Sequence, residues 1–198
     1  MGVVTGPCLF FKMKVEKLVG YKPYSTFSEV KNAQINGGFT HRITYSYTDF
    51  TPTDALTATV NANLFKNAAG ASKGLLDGMQ VGHVAMYVKA AFSGIANQTS
   101  GANGAKFNFG PTGNTDAFID DKGVHNAGDW LSFAPSGDTT SFGYIADADK
   151  ILGGKLTVAV DSGSEDLVNL TAGELVILME ITNLNDLLAE GAFQDVNL

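Results

Sequence analysis

The chain of 198 residues has one cysteine, one tryptophan and few charged residues. The single cysteine, Cys8, excludes an intrachain disulfide and a zinc site built from cysteines. No apolar run reaches the roughly 18 residues that a membrane-spanning helix needs. The apolar stretch at the start of the chain precedes its lysines, which is the wrong order for a signal peptide. These shortages predict a protein that has no membrane partner and folds in a reducing compartment such as a bacterial cytosol.

Charged residues make up 17% of the chain, and 23 of its 198 residues are glycine. Globular proteins usually have about a quarter charged residues and about 7% glycine. The surface must therefore be polar mainly through threonine, serine, asparagine and glycine. Such a composition is typical of many short strands joined by turns, and not of a helical bundle.

Charge is divided unevenly along the chain. Residues 1–42 carry six basic and two acidic side chains, whereas residues 43–198 carry seven basic and 18 acidic ones. The net charge of −7 argues against nucleic-acid binding, because phosphate contacts need lysine and arginine. We predict a basic extended N-terminal arm over 1–39, a body over 40–182, and a tail or short helix over 183–198. A first strand with solvated lysines is an equal interpretation of the arm.

Alternation of apolar and polar residues predicts strands through most of the body. The clearest strand begins at residue 56 (LTATVNANLF), with apolar residues on one face and threonine and asparagine on the other. The segment 173–181 is apolar on both faces and is predicted to be a central strand. Further strands are predicted at 40–48, 79–92, 106–110, 117–121, 140–147 and 155–161. Residues 67–78 are predicted to be a loop, and residues 122–138 to be irregular and anchored by Trp130, Leu131 and Phe133.

Seven or eight strands without a strong helical period predict an all-β fold. We expect an antiparallel two-sheet β-sandwich that is jelly-roll-like, and an immunoglobulin-like sandwich is the alternative. Tyr45, Tyr47 and Tyr87 are interpreted as packing residues, because tyrosine suits a half-buried pleated surface.

Motifs that carry catalysis are missing from the sequence. There is no G-x-S-x-G elbow, no P-loop, no H-E-x-x-H pair and no dinucleotide-binding glycine motif. The flanks of His41, His83 and His125 differ, and we expect these histidines to be ordinary strand or turn residues. Aspartates gather at 116–129 and 147–149 without the EF-hand spacing, which favours solvated turn carboxylates over a Ca²⁺ site. We therefore predict no catalytic, metal-binding or cofactor-binding residues, no cofactor and no enzymatic activity.

Several segments resemble proteins encoded among the virion genes of tailed bacteriophages. They are HRITYSYTDF, LTATVNANLF and GHVAMYVKAAFSG, followed by KFNFG, NTDAFID and TAGELVILMEI. The resemblance covers about residues 40–182 and implies a β-sandwich structural protein, with capsid decoration (cement) proteins as the most similar role. It also implies the major capsid protein as partner, a homo-oligomer (trimer or dimer), and a place on the capsid surface after assembly in the host bacterial cytoplasm.

Our leading hypothesis is a protein that stabilises neighbouring capsid subunits through polar β-surfaces and the basic arm. Many weak contacts on a symmetric lattice would add up. The candidate capsid-contact residues of the arm are Lys12, Lys14, Lys17, Lys22 and Lys31. The alternative is a head-fibre, neck or tail component that binds carbohydrate or the host, which needs an exposed aromatic such as Trp130 beside aspartate and asparagine. A small hydrolase is the third possibility, although no nucleophile or metal motif favours it.

Overall fold

A computed structural model describes residues 14–17, 38–51, 55–95, 104–133, 143–158 and 166–188. Two short helices, α1 (Tyr47–Phe50) and α2 (Leu184–Leu188), and a 3₁₀ turn at Leu167–Asn169 accompany the strands. The strands are β1 (Lys14–Lys17), β2 (His41–Ser46), β3 (Thr57–Ala62), β4 (Phe65–Lys66), β5 (Ser72–Lys73), β6 (Met79–Ser93), β7 (Lys106–Pro111), β8 (Ile119–Gly123), β9 (Trp130–Phe133), β10 (Tyr144–Ile145), β11 (Leu152–Thr157) and β12 (Ala172–Asn183). In the described part of the chain, no helix is both long and apolar enough to span a bilayer.

The strands form antiparallel sheets, which confirms the all-β prediction. The larger sheet has the order β1-β2-β12-β6-β10, and β9 also pairs with β6 along the same edge as β10. A four-stranded sheet has the order β3-β11-β7-β8, and β4 and β5 form a separate hairpin. The segment predicted to be a central strand is β12, which lies between β2 and β6.

One hydrophobic core contains side chains from both sheets. Tyr45 of the larger sheet is fully buried, and its ring centroid lies 5.5 Å from that of Phe107 and 6.4 Å from that of Phe109. Both phenylalanines belong to β7, where alternation predicts a shared buried face, and this prediction is confirmed. The face of β3 that carries threonine and asparagine is exposed, also as predicted.

Strand β2 ends earlier than the alternation predicts, because a capped helical turn follows it. The backbone N–H of Ser46 donates to Asp49 Oδ2 at 2.7 Å, and the Ser46 hydroxyl accepts from Thr48 N at 3.4 Å. This reciprocal capping satisfies donors that would be free at the start of a helix. The turn forms α1 and buries Phe50 in the core.

Three other sequence-based expectations need correction. Residues 130–133 are not irregular but form β9, and Trp130 is not an anchor, since 62% of it is exposed. The segment 67–78, predicted to be a loop, contains β5. Strand β11 begins three residues before the predicted start, at Leu152. The predictions for 140–142, 159–161 and the side chain of Phe133 lie outside the described parts of the molecule.

Part of the predicted arm pairs with the body. Residues Lys14–Lys17 form an edge strand that is antiparallel to β2, with Lys14 opposite Thr44 and Lys17 opposite His41. Lys12, Lys22 and Lys31 lie outside the described residues. The division of the chain at residues 39 and 182 stays a prediction, and α2 lies at the start of the predicted tail.

Candidate interaction surfaces

The outer side of the four-stranded sheet is polar and carries few charges. Thr57, Thr59 and Asn61 of β3 are exposed on it because they alternate with apolar residues that face the core. The register of β11 with β3 and β7 places further polar residues beside them. We call this surface the polar face and define it by Thr57, Thr59, Asn61, Lys106, Asn108, Gly153, Lys155 and Thr157.

Hydroxyl and amide groups dominate the polar face, and these groups can both donate and accept hydrogen bonds. Its two cations are Lys106 and Lys155, and the ammonium of Lys106 lies 3.6 Å from the Asp121 carboxylate. Gly153 has no side chain, so the polar face is recessed at its centre. A broad surface of this kind suits a wet contact with a protein partner, in which waters bridge polar groups.

The outer side of the six-stranded sheet differs, because it carries exposed aromatic and aliphatic side chains. Tyr87 of β6 lies opposite Trp130 of β9 and opposite Val176 of β12, and Leu178 comes two residues after Val176. The rings of Tyr87 and Trp130 are stacked, with centroids 4.3 Å apart and an interplanar angle of 26°. We call Trp130, Tyr87, Val176 and Leu178 the aromatic stripe.

Charged side chains border the aromatic stripe at both ends. Lys89 and Glu174 form a salt bridge at one end, with 2.7 Å between Nζ and Oε1. At the other end Glu180 lies opposite His83 in the register of β12 and β6. Arg42 lies opposite Leu178 along one side. The stripe is therefore an apolar surface bordered by charged side chains, and such a surface can bind an apolar partner.

Asp147 and Asp149 have different partners, and Asp149 is the one that connects its loop to residues 67 and 77. Asp147 pairs with Lys150 at 2.6 Å, and this pairing holds the pKa of the Asp147 carboxyl below its usual value. Asp149 accepts a hydrogen bond from Asn67 Nδ2 at 2.9 Å and another from the Asp77 N–H at 3.3 Å. The bond from Asn67 is the main reason that the pKa of Asp149 is lowered.

Replacing Asn67 by alanine is expected to raise the pKa of Asp149 towards the ordinary value of 3.8. The native pKa lies below that value, so the stabilisation by this bond is present above pH 3.8 and is lost as the pH falls through the native pKa. A carboxyl NMR titration of both proteins measures the change. Asp147 is the internal control, because its pKa depends on Lys150. An unchanged Asp149 titration in Asn67→Ala would contradict this assignment.

His41 and His83 lie in separate surroundings. His41 is buried on the core side of β2, where its Nδ1 lies 2.8 Å from Thr40 Oγ1 and its ring meets Phe65 edge-on. His83 faces outward and contacts the ring of Phe39, with centroids 5.5 Å apart. Among the residues that the structure describes, no three histidine, cysteine, aspartate or glutamate side chains come together as a metal site.

Sequence reasoning found one of the two surfaces. Alternation in β3 predicted the exposed threonines and asparagine of the polar face. It did not predict the aromatic stripe, because Trp130 was interpreted as an anchor of an irregular segment and was expected to be exposed only under the carbohydrate-binding alternative. The sequence signal for the stripe is Tyr87, which lies between the buried Met86 and Val88 and therefore faces outward by alternation.

Comparison with known proteins adds no family to these observations. No protein-family model matches the sequence, and no curated protein matches it.

Proposed function

We propose that the protein is a non-enzymatic structural protein of a tailed-phage virion, a decoration protein on the outside of the assembled head. It stabilises contacts between major capsid subunits. The observation that carries this proposal is the polar face, an exposed sheet surface of threonine and asparagine with only two lysines. The sequence resemblance supplies the phage context, and the polar face supplies a surface suited to the role.

The physical basis is the addition of weak contacts over many copies. A wet, polar interface gives modest affinity per copy, because protein–water hydrogen bonds are exchanged for similar ones. Copies on a symmetric shell that also bind one another, as a dimer or trimer, gain by effective concentration. We also propose that the two sheets form a jelly-roll-like sandwich, which the packing of Tyr45 against Phe107 supports.

The arm is proposed to add electrostatic attraction to the same contact. Strand β1 places Lys14 and Lys17 at an edge of the larger sheet. Together with Lys12, Lys22 and Lys31, these residues would meet acidic groups of a capsid subunit or of a neighbouring copy. Opposite charges of this kind mainly increase the rate of association, and salt weakens them.

Replacing Thr57 and Thr59 together by glutamate is expected to lower the affinity for emptied heads of the parent phage by about tenfold or more, which is about 1.4 kcal/mol. Two carboxylates would have to be desolvated in the contact, and only one of them, at position 59, would have a cation directly opposite it, Lys155. Co-sedimentation with the heads over a range of protein concentrations measures the affinity.

Val168→Glu is the matched control, because Val168 is exposed on the 3₁₀ turn and lies outside both surfaces. It should bind the heads as well as the wild-type chain does. Failure of the wild-type chain to co-sediment would refute the decoration role. Equal binding by the double-glutamate variant would remove the polar face from the contact.

A further inference from the structure

The aromatic stripe is an exposed apolar surface of the kind that binds another segment. Four large apolar side chains are exposed in the described residues, namely Trp130, Ile145, Ile151 and Val168, and Trp130 is the most exposed at 62%. Its neighbours across the sheet, Tyr87 and Val176, are also partly exposed, so the apolar surface is continuous. Continuous apolar surfaces on soluble proteins usually bind a partner or another part of the chain.

Strand β1 brings the N-terminal segment to this surface. Its first residue, Lys14, begins a row of paired residues across the sheet. Lys14 pairs with Thr44, Thr44 with Val176, and Val176 with Tyr87. Trp130 completes the same row at the far edge of the sheet. The row crosses four strand spacings, about 19 Å, because neighbouring strands lie about 4.8 Å apart. Thirteen residues precede β1, and an extended chain of that length reaches about 43 Å.

The composition of residues 1–13 matches the stripe. The segment reads MGVVTGPCLFFKM, which includes five large apolar side chains besides methionine, one lysine and no acidic residue. The stripe offers aromatic and aliphatic side chains between rims that carry Glu174 and Glu180. Lys89 and Arg42 also lie beside the stripe, so it is the apolar side chains of the segment, and not its lysine, that match this surface.

We propose that residues 1–13 pack on the aromatic stripe of their own chain and cover Trp130. A second copy fits less well, since residues 1–13 are tethered through β1 to the row of residues that ends at Trp130 and therefore have the higher effective concentration there. A sugar fits less well too, because Val176 and Leu178 in the stripe offer no hydrogen-bonding side chain to its hydroxyls. The proposal concerns the isolated chain, so it holds or fails independently of the proposed capsid role.

The chain contains the two probes that this proposal needs. Cys8 is its only cysteine and lies in the segment, and Trp130 is its only tryptophan and lies in the stripe. A nitroxide attached to Cys8 in urea, followed by refolding, should quench Trp130 fluorescence by at least about twofold if the docked arrangement is the major one. Reduction of the nitroxide should restore the emission. Unquenched emission would overturn the proposal.

Two controls fix the position and the source of the quenching. In the first, Trp130→Phe is combined with Ile151→Trp, which moves the fluorophore to an exposed position preceding β11 of the other sheet, and the label should not quench it. In the second, the labelled chain is mixed with an excess of unlabelled Cys8→Ser, Trp130→Phe chain. Quenching within one chain survives the mixing. Its loss would assign the stripe to a second copy and overturn the proposal.

Deletion of residues 2–11 provides a measurement that needs no label. It should shift Trp130 emission to longer wavelength and increase quenching by added iodide, because the indole becomes more exposed to water. Circular dichroism establishes that the shortened chain is folded. Unchanged emission in the folded deletion variant would overturn the proposal. A shift of Trp130 emission when N-acetylglucosamine oligosaccharides are added to the intact chain would also overturn it, because it would assign the stripe to a sugar.

Discussion

Replacing Gly154 by valine is expected to lower the free energy of unfolding by about 3 kcal/mol. A Cβ atom at this position would lie 2.8 Å from ring atoms of both Phe107 and Tyr45. The two rings come from different sheets and are fully buried, so they have little room to move. The valine would force the sheets apart or push the rings out of their preferred rotamers. Urea unfolding followed by circular dichroism measures the loss.

The adjacent glycine is a matched control for this prediction. Gly153 lies on the polar face, and a Cβ there would lie 3.1 Å from Thr59 Cγ2 and 3.3 Å from Asn61 Oδ1. Both atoms are the ends of exposed side chains, which can move. Gly153→Val should therefore change the free energy of unfolding by no more than about 1 kcal/mol in either direction. If both variants lost the same free energy of unfolding, the close approach of the two sheets would not be the reason that position 154 needs glycine.

The two glycines illustrate how far a single sequence predicts this fold. The strand was expected to start at residue 155, directly after Gly153 and Gly154. The structure instead places both glycines inside β11. Gly153 faces Thr59 and Asn61 on the outer side of the four-stranded sheet. Gly154 faces the core, where the rings of Phe107 and Tyr45 leave no room for a side chain. Alternation shows which residues share a face. It does not show how near the opposite layer comes, so it cannot distinguish a glycine that breaks a strand from one that permits packing.

Strands with one clear apolar face were predicted well, even at the edge of a sheet as in β3, whereas the short strand β9 was not. In β3 the side chains themselves fix the face, since threonine and asparagine alternate with apolar residues. Strand β9 is an edge strand of four residues, and its partner β6 is more than 40 positions earlier in the chain. Whether Trp130 faces the core or solvent depends on that distant pairing.

The polar face depends on a local pattern, whereas the aromatic stripe depends on pairing between distant strands, so only the polar face was predictable. The polar face follows from alternation within β3. The aromatic stripe requires the registers of β6 with β9 and with β12, and the latter contains three irregularities. Each register shift can move a side chain to the other face of a sheet. A single sequence without aligned relatives contains no signal for such shifts.

The free energy of unfolding is expected to fall above pH 10, and Tyr45→Phe is expected to remove part of that fall. Burial is the main cause that raises the pKa of Tyr45 above its ordinary value of 10.0, and the nearby carboxylate of Asp49 adds to it. Above pH 10 the unfolded chain loses this proton while the native protein keeps it. The stabilisation is therefore complete below pH 10 and falls by about 1.4 kcal/mol per pH unit until the native pKa is reached.

Urea unfolding of the wild-type chain and of Tyr45→Phe between pH 8 and pH 11 isolates this contribution, because the other titrating groups are common to both proteins. At pH 8 the variant should be less stable by about 1 kcal/mol, since the Tyr45 hydroxyl donates to the Val60 carbonyl oxygen at 3.4 Å. The difference should shrink and then reverse as the pH rises. Tyr47→Phe is the control, because Tyr47 is only partly buried and the variant keeps Tyr45. Parallel pH profiles for the wild-type chain and Tyr45→Phe would contradict the assignment of a buried, protonated Tyr45 to the contact between the two sheets.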